Sequence, residues 1–147
     1  MHLLFSRRCE YALQAVLYVA LKPDGSWTSI RELAKVLKIP SHFLAKILRD
    51  LTRRGLLSSQ KGPRGGFRLG MQASDMTPAH IVEAVGGLEF TRTCVLGFSE
   101  CSADNPCAVH HQWEKLRDGI HEMLVSKSIA QLARDMRRPE YRSLTHC

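Results

Sequence analysis

The apolar positions of the chain fall first into helical spacing. Ala12, Val16, Val19 and Ala20 recur at three and four residues behind Ser6, whose hydroxyl suits a helix N-cap, and Pro23-Asp24-Gly25 breaks the run after Leu21. A second pattern of Ile30, Leu33, Ala34 and Leu37 follows Thr28 and Ser29, either of which can cap it, and Glu32 stands at capping-box spacing from Ser29. That helix should end near Lys38 and Ile39. Beyond Pro40, Ser41 starts a third helix with Phe43, Leu44, Ile47, Leu48 and Leu51 as its buried stripe. His42, Lys46, Arg49 and Arg53 lie largely off that stripe, and Gly55 stops the helix. Two short helices joined by a tight turn, the second with a basic outer face, predict a helix-turn-helix, in which one helix braces while the other enters the major groove.

The period then changes. Residues 56–60 and 66–69 read as two short strands around the glycine- and proline-rich turn from Lys61 to Gly66, a hairpin with Lys61 and Arg64 at its tip. Directly after a basic helix-turn-helix, such a hairpin is expected to act as a wing whose slim turn lets both cations reach phosphates or a narrow minor groove. Thr77 and Pro78 open a short helix through Ile81, Val82 and Val85, closed by Gly86 and Gly87. After a cysteine-bearing stretch, Val109, Trp113, Leu116, Ile120, Met123 and Leu124 repeat at three and four residues and predict one long amphipathic helix. Its apolar stripe needs a partner, and the equivalent helix of a second subunit is the expected one, because sites read by helix-turn-helix proteins are commonly two-fold. Ser128 caps a last short helix carrying Ile129, Leu132 and Ala133, and a basic tail from Arg137 is expected to be loose.

The fold class expected from this pattern is mainly α. A winged helix-turn-helix with a small β-hairpin wing occupies residues 1–88, a cysteine loop residues 89–108, and a long dimerisation helix with its tail residues 109–147. The length of 147 residues and a hydrophobic content of 44% allow one modest core plus an appendage. No apolar run approaches a membrane span, and the segment from Met1 to Arg8 places its apolar residues before its basic ones, opposite to a secretory signal. The expected location is the cytoplasm.

Charge sharpens the picture once it is located. Residues 1–70 hold 13 Lys/Arg against 4 Asp/Glu, and the remainder 8 against 10, so the net charge of +7 belongs to the front half. That asymmetry favours a polyanion, double-stranded DNA, as partner of the helix-turn-helix. Ser41, His42, Lys46 and Arg49 on the third helix, with Lys61 and Arg64 on the hairpin, are the candidate DNA-binding residues.

Five cysteines in a chain without signs of export argue for metal, redox or buried thiols rather than a disulfide framework. Cys94, Cys101 and Cys107 are separated by six and five residues, and His110 follows after two more. Thiolates bind iron–sulfur clusters and zinc, and imidazole can complete either set. Gly97, Ser99, Ser102, Asp104, Asn105 and Pro106 give the intervening segment a loop-forming composition able to wrap a metal. Zinc is the weaker reading because the short paired Cys-x2-4-Cys knuckles of structural sites are missing, and unmetallated thiols forming a redox switch are a third. Cys9 and Cys147 read as incidental. A cysteine nucleophile built from Cys107 and His110 is disfavoured, since no acidic orienter or evident substrate pocket accompanies the pair, so no catalytic residue is expected.

With these residues in view, the chain from about residue 3 to 135 resembles the Rrf-two (Rrf2) family of winged-helix transcriptional regulators. The resemblance rests on Glu10-Tyr11-Ala12-Leu13, on Ser29-Ile30-Arg31-Glu32-Leu33-Ala34, and on Phe43-Leu44 with Leu48 and Leu51. It continues in Gly55-Leu56-Leu57, in the stretch from Lys61 to Phe67, and in the three cysteines followed by Trp113. It implies a homodimer with crossing long helices and an iron–sulfur cluster near the first helix of the partner subunit, so that cluster status changes DNA affinity. In the family's iron–sulfur-biosynthesis branch a histidine three residues after the third cysteine completes a [2Fe-2S] site, the position of His110. In its nitric-oxide branch an acidic residue of the first helix completes a [4Fe-4S] site, the position of Glu10. His110 is preferred as local to the cysteines; the first cysteine gap is one residue longer than in the biosynthesis branch.

Overall fold

The computed structural model describes residues 4–142 and residue 144. Six helices and one hairpin follow in the order α1 (Arg7–Leu21), α2 (Ile30–Leu37), α3 (Ser41–Arg53), β1 (Leu57–Gln60), β2 (Gly66–Leu69), α4 (Pro78–Ala84), α5 (His110–Val125) and α6 (Ile129–Met136). A 3₁₀ turn, Glu89–Arg92, which the sequence pattern does not announce, lies between α4 and the cysteines. Cys147 lies outside the described residues.

Local chemistry sets most helix starts. The Ser6 hydroxyl accepts from the Cys9 N–H at 3.2 Å and that of Ser29 from the Glu32 N–H at 3.1 Å, each satisfying a donor that the first turn leaves orphaned. Ser128 and Gln131 form a reciprocal capping box on α6. On α4 the reciprocal partner of Thr77 is His80, whose Nδ1 accepts the Thr77 N–H at 3.0 Å. Glu32 does not close the box expected on α2. Its carboxylate instead accepts from the Tyr18 hydroxyl at 2.7 Å and from the Lys22 ammonium at 2.6 Å, because a charge-assisted pair outcompetes a bond back to the cap.

The turn between α2 and α3 is Lys38-Ile39-Pro40. Lys38 adopts a left-handed conformation with φ of 56°, Ile39 is buried, and Pro40 precedes the first residue of α3, Ser41. Leu44, Ile47, Leu48 and Leu51 of α3 pack with Ala12, Ala15, Val16 and Val19 of α1 and with Leu33 of α2 in one core. Phe43 departs from the expected stripe. It is 37% exposed and meets the Tyr11 ring edge-on at 5.8 Å, since it sits on the α3 flank that faces the start of α1 rather than the core.

β1 and β2 pair antiparallel with Leu57 opposite Leu69 and Gln60 opposite Gly66. A bridge between Thr28 and Phe67, with both N–H groups bonded at 2.8 Å, ties the hairpin to the chain just before α2. That close approach requires Gly66, because a Cβ there would lie 2.3 Å from the Thr28 carbonyl oxygen. Ile129 of α6 joins the same core, and its N–H bonds the Met76 carbonyl at 2.7 Å. The basic segment after α6 is held in part: Arg137 donates to the Leu21 carbonyl at 3.3 Å, and Leu144 is buried.

A smaller cluster of Cys9, Val82 and Leu124 joins α1, α4 and α5, with Phe5, Leu88 and Ile120 packed around it. Among the described residues, much of the α5 stripe has no cover. Leu116 is 62% and Met123 57% exposed, while Leu124 is buried. No described helix is long and apolar enough to cross a membrane.

Candidate nucleic-acid interface and metal centre

The basic face is built by α3 and the hairpin. Helical spacing puts Leu44, Ile47, Leu48 and Leu51 inward, which leaves Ser41, His42, Lys46, Arg49 and Arg53 exposed on the other side. Lys61 and Arg64 are exposed in the turn between β1 and β2. Ala45, Arg49, Thr52 and Arg53 of α3 face Ser59 and Phe67 of the hairpin across a shallow groove. One face therefore carries a cationic helix and a cationic hairpin tip, and the Thr28–Phe67 bridge anchors the hairpin to the chain just before α2. A flank of α3 is tied to α1 by the partly exposed Arg8–Asp50 ion pair. The hairpin adds a cation that the sequence reading passed over: Arg68, whose guanidinium stacks on Trp27 at 4.3 Å.

The second site lies between the 3₁₀ turn and α5. The sulfur atoms of Cys94, Cys101 and Cys107 all lie within 4.8 Å of one another, although the residues span 14 positions of sequence. Cys94 Sγ is 3.6 Å from Cys107 Sγ, and the Cys107 N–H donates to Cys101 Sγ at 3.4 Å. His110, the first residue of α5, is buried and places Nδ1 3.1 Å from Cys101 Sγ. It touches one thiol of the three and is not in the set that shares the 4.8 Å limit. Glu10 sits on α1, half-buried, and is likewise outside that set.

The loop brings the thiols together through turns rather than regular structure. Gly97 takes a left-handed φ of 82° with its N–H on the Cys94 carbonyl at 3.0 Å, and Ser102 and Asn105 exchange backbone hydrogen bonds at 3.1 and 3.2 Å. Desolvation pushes the Cys94 thiol up, but the backbone N–H groups of Phe98 and Leu96 and the thiols of Cys107 and Cys101 outweigh it and draw its pKa down to about 7. Cys101 is raised: the Cys107 N–H favours its thiolate, yet desolvation and the neighbouring Cys107 and Cys94 sulfurs prevail. A cluster of three thiols, one of them easily ionised, is a soft donor set that could hold a metal ion. Val95, Leu96 and Phe98 stand exposed on the same loop.

A helix-turn-helix with a hairpin wing and a cationic face defines the class: a winged-helix transcriptional regulator. The family follows from comparison with known proteins. Residues 5–135 match the model of the Rrf2 family, described as an iron-dependent transcriptional regulator, and the chain belongs to that family. It is 42% identical over 132 residues to a protein of Aquifex aeolicus (strain VF5) named as an HTH-type transcriptional regulator, covering 88% of this chain and 91% of that one. It is 30% identical over 126 residues to the HTH-type transcriptional regulator IscR of Vibrio atlanticus (strain LGP32), covering 86% of this chain and 72% of the relative. Among solved structures, CymR (YrzC), the global cysteine regulator of B. subtilis, superposes with a TM-score of 0.76 at 25% identity, over 91% of this chain and 98% of that one. The IscR of T. potens matches in fold with a TM-score of 0.72 at 20% identity, over 97% and 95% of the two chains. The family and these relatives are regulators, not enzymes, in agreement with the expectation that the chain is not an enzyme.

Proposed function

We propose that this chain is a homodimeric DNA-binding regulator whose operator affinity follows the state of an iron–sulfur cluster held by Cys94, Cys101 and Cys107. The observation that carries the reading is the convergence of those three sulfurs within 4.8 Å behind a cationic winged helix. His110 is the favoured fourth ligand, because it is buried and already in contact with Cys101, and this favours a [2Fe-2S] centre. Glu10 of the partner subunit is the alternative, and it would go with [4Fe-4S]. A bound cluster supplies a redox- and iron-sensitive charge at the junction of loop and α5. The exposed Leu116 and Met123 supply the apolar surface for pairing α5 with its copy. A coupling of about 1–3 kcal/mol between sensor and wing would move operator affinity roughly 5- to 150-fold.

On the DNA side, Lys46 and Arg49 serve phosphates or base edges in the major groove, with Ser41 and His42 at the helix start, and Lys61 and Arg64 serve the backbone from the wing. Each phosphate neutralised should steepen the dependence of log K on log salt by about 0.9. The cytoplasm is the compartment that suits this role.

A second reading is a zinc site with the same three thiols. Tetrahedral zinc with Zn–S bonds of about 2.3 Å places sulfurs roughly 3.8 Å apart, near the Cys94–Cys107 separation of 3.6 Å. Protein purified without oxygen separates the readings by its visible spectrum and its iron, sulfide and zinc content. Brown protein with matched iron and sulfide is expected. Colourless, zinc-loaded protein that cannot be reconstituted would replace the cluster with a zinc site, and metal-free protein would leave a thiol switch. Alanine at both Lys46 and Arg64 should abolish DNA binding in a gel-shift assay without altering the metal content.

A further inference from the structure

We infer that Trp113 and Arg117 of α5 are positioning residues that fix Cys94 for metal binding. The inference rests on the metal-centre reading above and concerns how the loop is held ready for it. Cys94 is the ligand farthest in sequence from α5, and the chain leading into it is irregular, so something must hold it against the other two thiols. Two side chains do so. The Trp113 indole Nε1–H donates to the Thr93 carbonyl at 2.9 Å, and the Arg117 guanidinium donates to the Thr91 carbonyl at 2.7 Å. Thr93 is the residue immediately before Cys94, and Thr91 lies within the 3₁₀ turn whose Phe90 ring packs edge-on against Phe5 at 6.0 Å.

His110, Trp113 and Arg117 occupy positions i, i+3 and i+7, so they share one face of α5. That single face touches Cys101 through His110 and the approach to Cys94 through Trp113 and Arg117. The three thiols are thereby referred to one rigid element, and any strain at Cys94 is felt by the helix that carries Leu116 and Met123. A tryptophan on an amphipathic stripe reads in sequence as a core or interface residue. Here its ring is only half-buried, and its N–H has a defined partner. Groups that orient metal ligands without touching the metal commonly change metal affinity 10- to 100-fold when removed.

The test is anaerobic titration of the reduced, metal-free full chain with cobalt(II), read by the thiolate-to-cobalt absorption and by competition with a chelator. Trp113→Phe and Arg117→Gln should each weaken cobalt(II) binding about tenfold, while Lys115→Ala, on an exposed part of the same helix, should leave it within twofold. Circular dichroism of the metal-free variants should match the wild type, which excludes a folding defect. In a Cys94→Ser background the effect of Arg117→Gln should vanish, since the residue it positions is gone. Wild-type affinity in both clamp variants, or an undiminished Arg117→Gln effect without Cys94, overturns the inference while leaving the metal centre intact. A wild-type chain that gives no thiolate–cobalt band and cannot be loaded with iron and sulfide removes the metal centre and the inference together.

Discussion

Cys9 and Cys94 are the same residue type in opposite surroundings. Cys9 is fully buried between α1, α4 and α5, packed so closely that a Cβ on Gly87 would come within 3.0 Å of its sulfur. Burial and then the neighbouring Glu10 carboxylate push its pKa up to about 11. Cys94 stands in a loop of turns where donated hydrogen bonds draw its pKa down to about 7. The contrast extends to their regions. The winged-helix body closes on itself, with Leu33, Leu44, Leu48, Leu51 and Ile81 all at zero exposure. The cysteine loop and α5 instead leave Val95, Leu96, Phe98, Leu116 and Met123 in solvent. Apolar surface that a body buries for itself stabilises it outright, whereas exposed apolar surface does so only when something covers it.

The contrast is broken most directly by thiol chemistry. In metal-free, reduced, native protein at pH 7.5, Cys94 should react with iodoacetamide about a thousandfold faster than Cys9, because Cys9 is reached only through opening of a body with several kcal/mol of stability. Mass spectrometry of timed quenches reads both sites. Comparable labelling of the two would mean that the α1–α4–α5 junction opens freely. The sign of the Cys9 shift adds a pH signature. A thiol whose folded pKa lies above its ordinary value of 9.0 stabilises the fold fully below pH 9, and that contribution is lost as pH rises through about 11.

Core truncation sharpens the same comparison with a smaller effect. Leu48→Ala, at a fully buried α3 position, should cost about 2–5 kcal/mol in urea unfolding. Leu116→Ala removes the same side chain from an exposed stripe and should change the stability of the isolated chain by no more than about 0.5 kcal/mol, while weakening self-association in sedimentation experiments. Equal destabilisation by the two variants at protein concentrations where only monomer is present would erase the distinction between a closed body and an open appendage.

What the sequence shows of these two regions differs for physical reasons. The starts of α1, α2 and α6 are legible because Ser6, Ser29 and Ser128 act on their own first turns, and the inward residues Leu44, Ile47, Leu48 and Leu51 follow from periodicity. The hairpin is legible from its turn residues, but its tie to Thr28 is not, since a bridge between residues 28 and 67 is a tertiary event. Phe43 and Glu32 depart from the local rule for the same reason: Tyr11 and Tyr18 lie on another helix and Lys22 just past its end. Around the cysteines, composition points to Cys94, Cys101, Cys107 and His110 as candidate ligands. The contact of His110 with Cys101 and the hold of Trp113 and Arg117 on the loop appear only once α5 is placed beside it.

The smallest expected effect tests whether the body owes its stability to polar links as well as packing. Glu32 joins α2 to α1, and its carboxyl is held below its ordinary value first by the Lys22 hydrogen bond and then by Tyr18. A carboxylate with a depressed folded pKa contributes stability that is present above its ordinary pKa of 4.5 and lost as pH falls through the lower folded value. Both partners are about one-third exposed, so solvent screening holds the contribution at neutral pH to under about 1 kcal/mol. Glu32→Gln should therefore lower stability slightly at pH 7 and flatten its fall below pH 4.5, the two proteins converging in acid. Urea midpoints measured from pH 3 to 7 check this. A variant that keeps the full acid dependence would assign it to other carboxylates, Asp50 of the Arg8–Asp50 ion pair between α1 and α3 among them, and leave the α1–α2 junction to Leu33 and the residues packed around it.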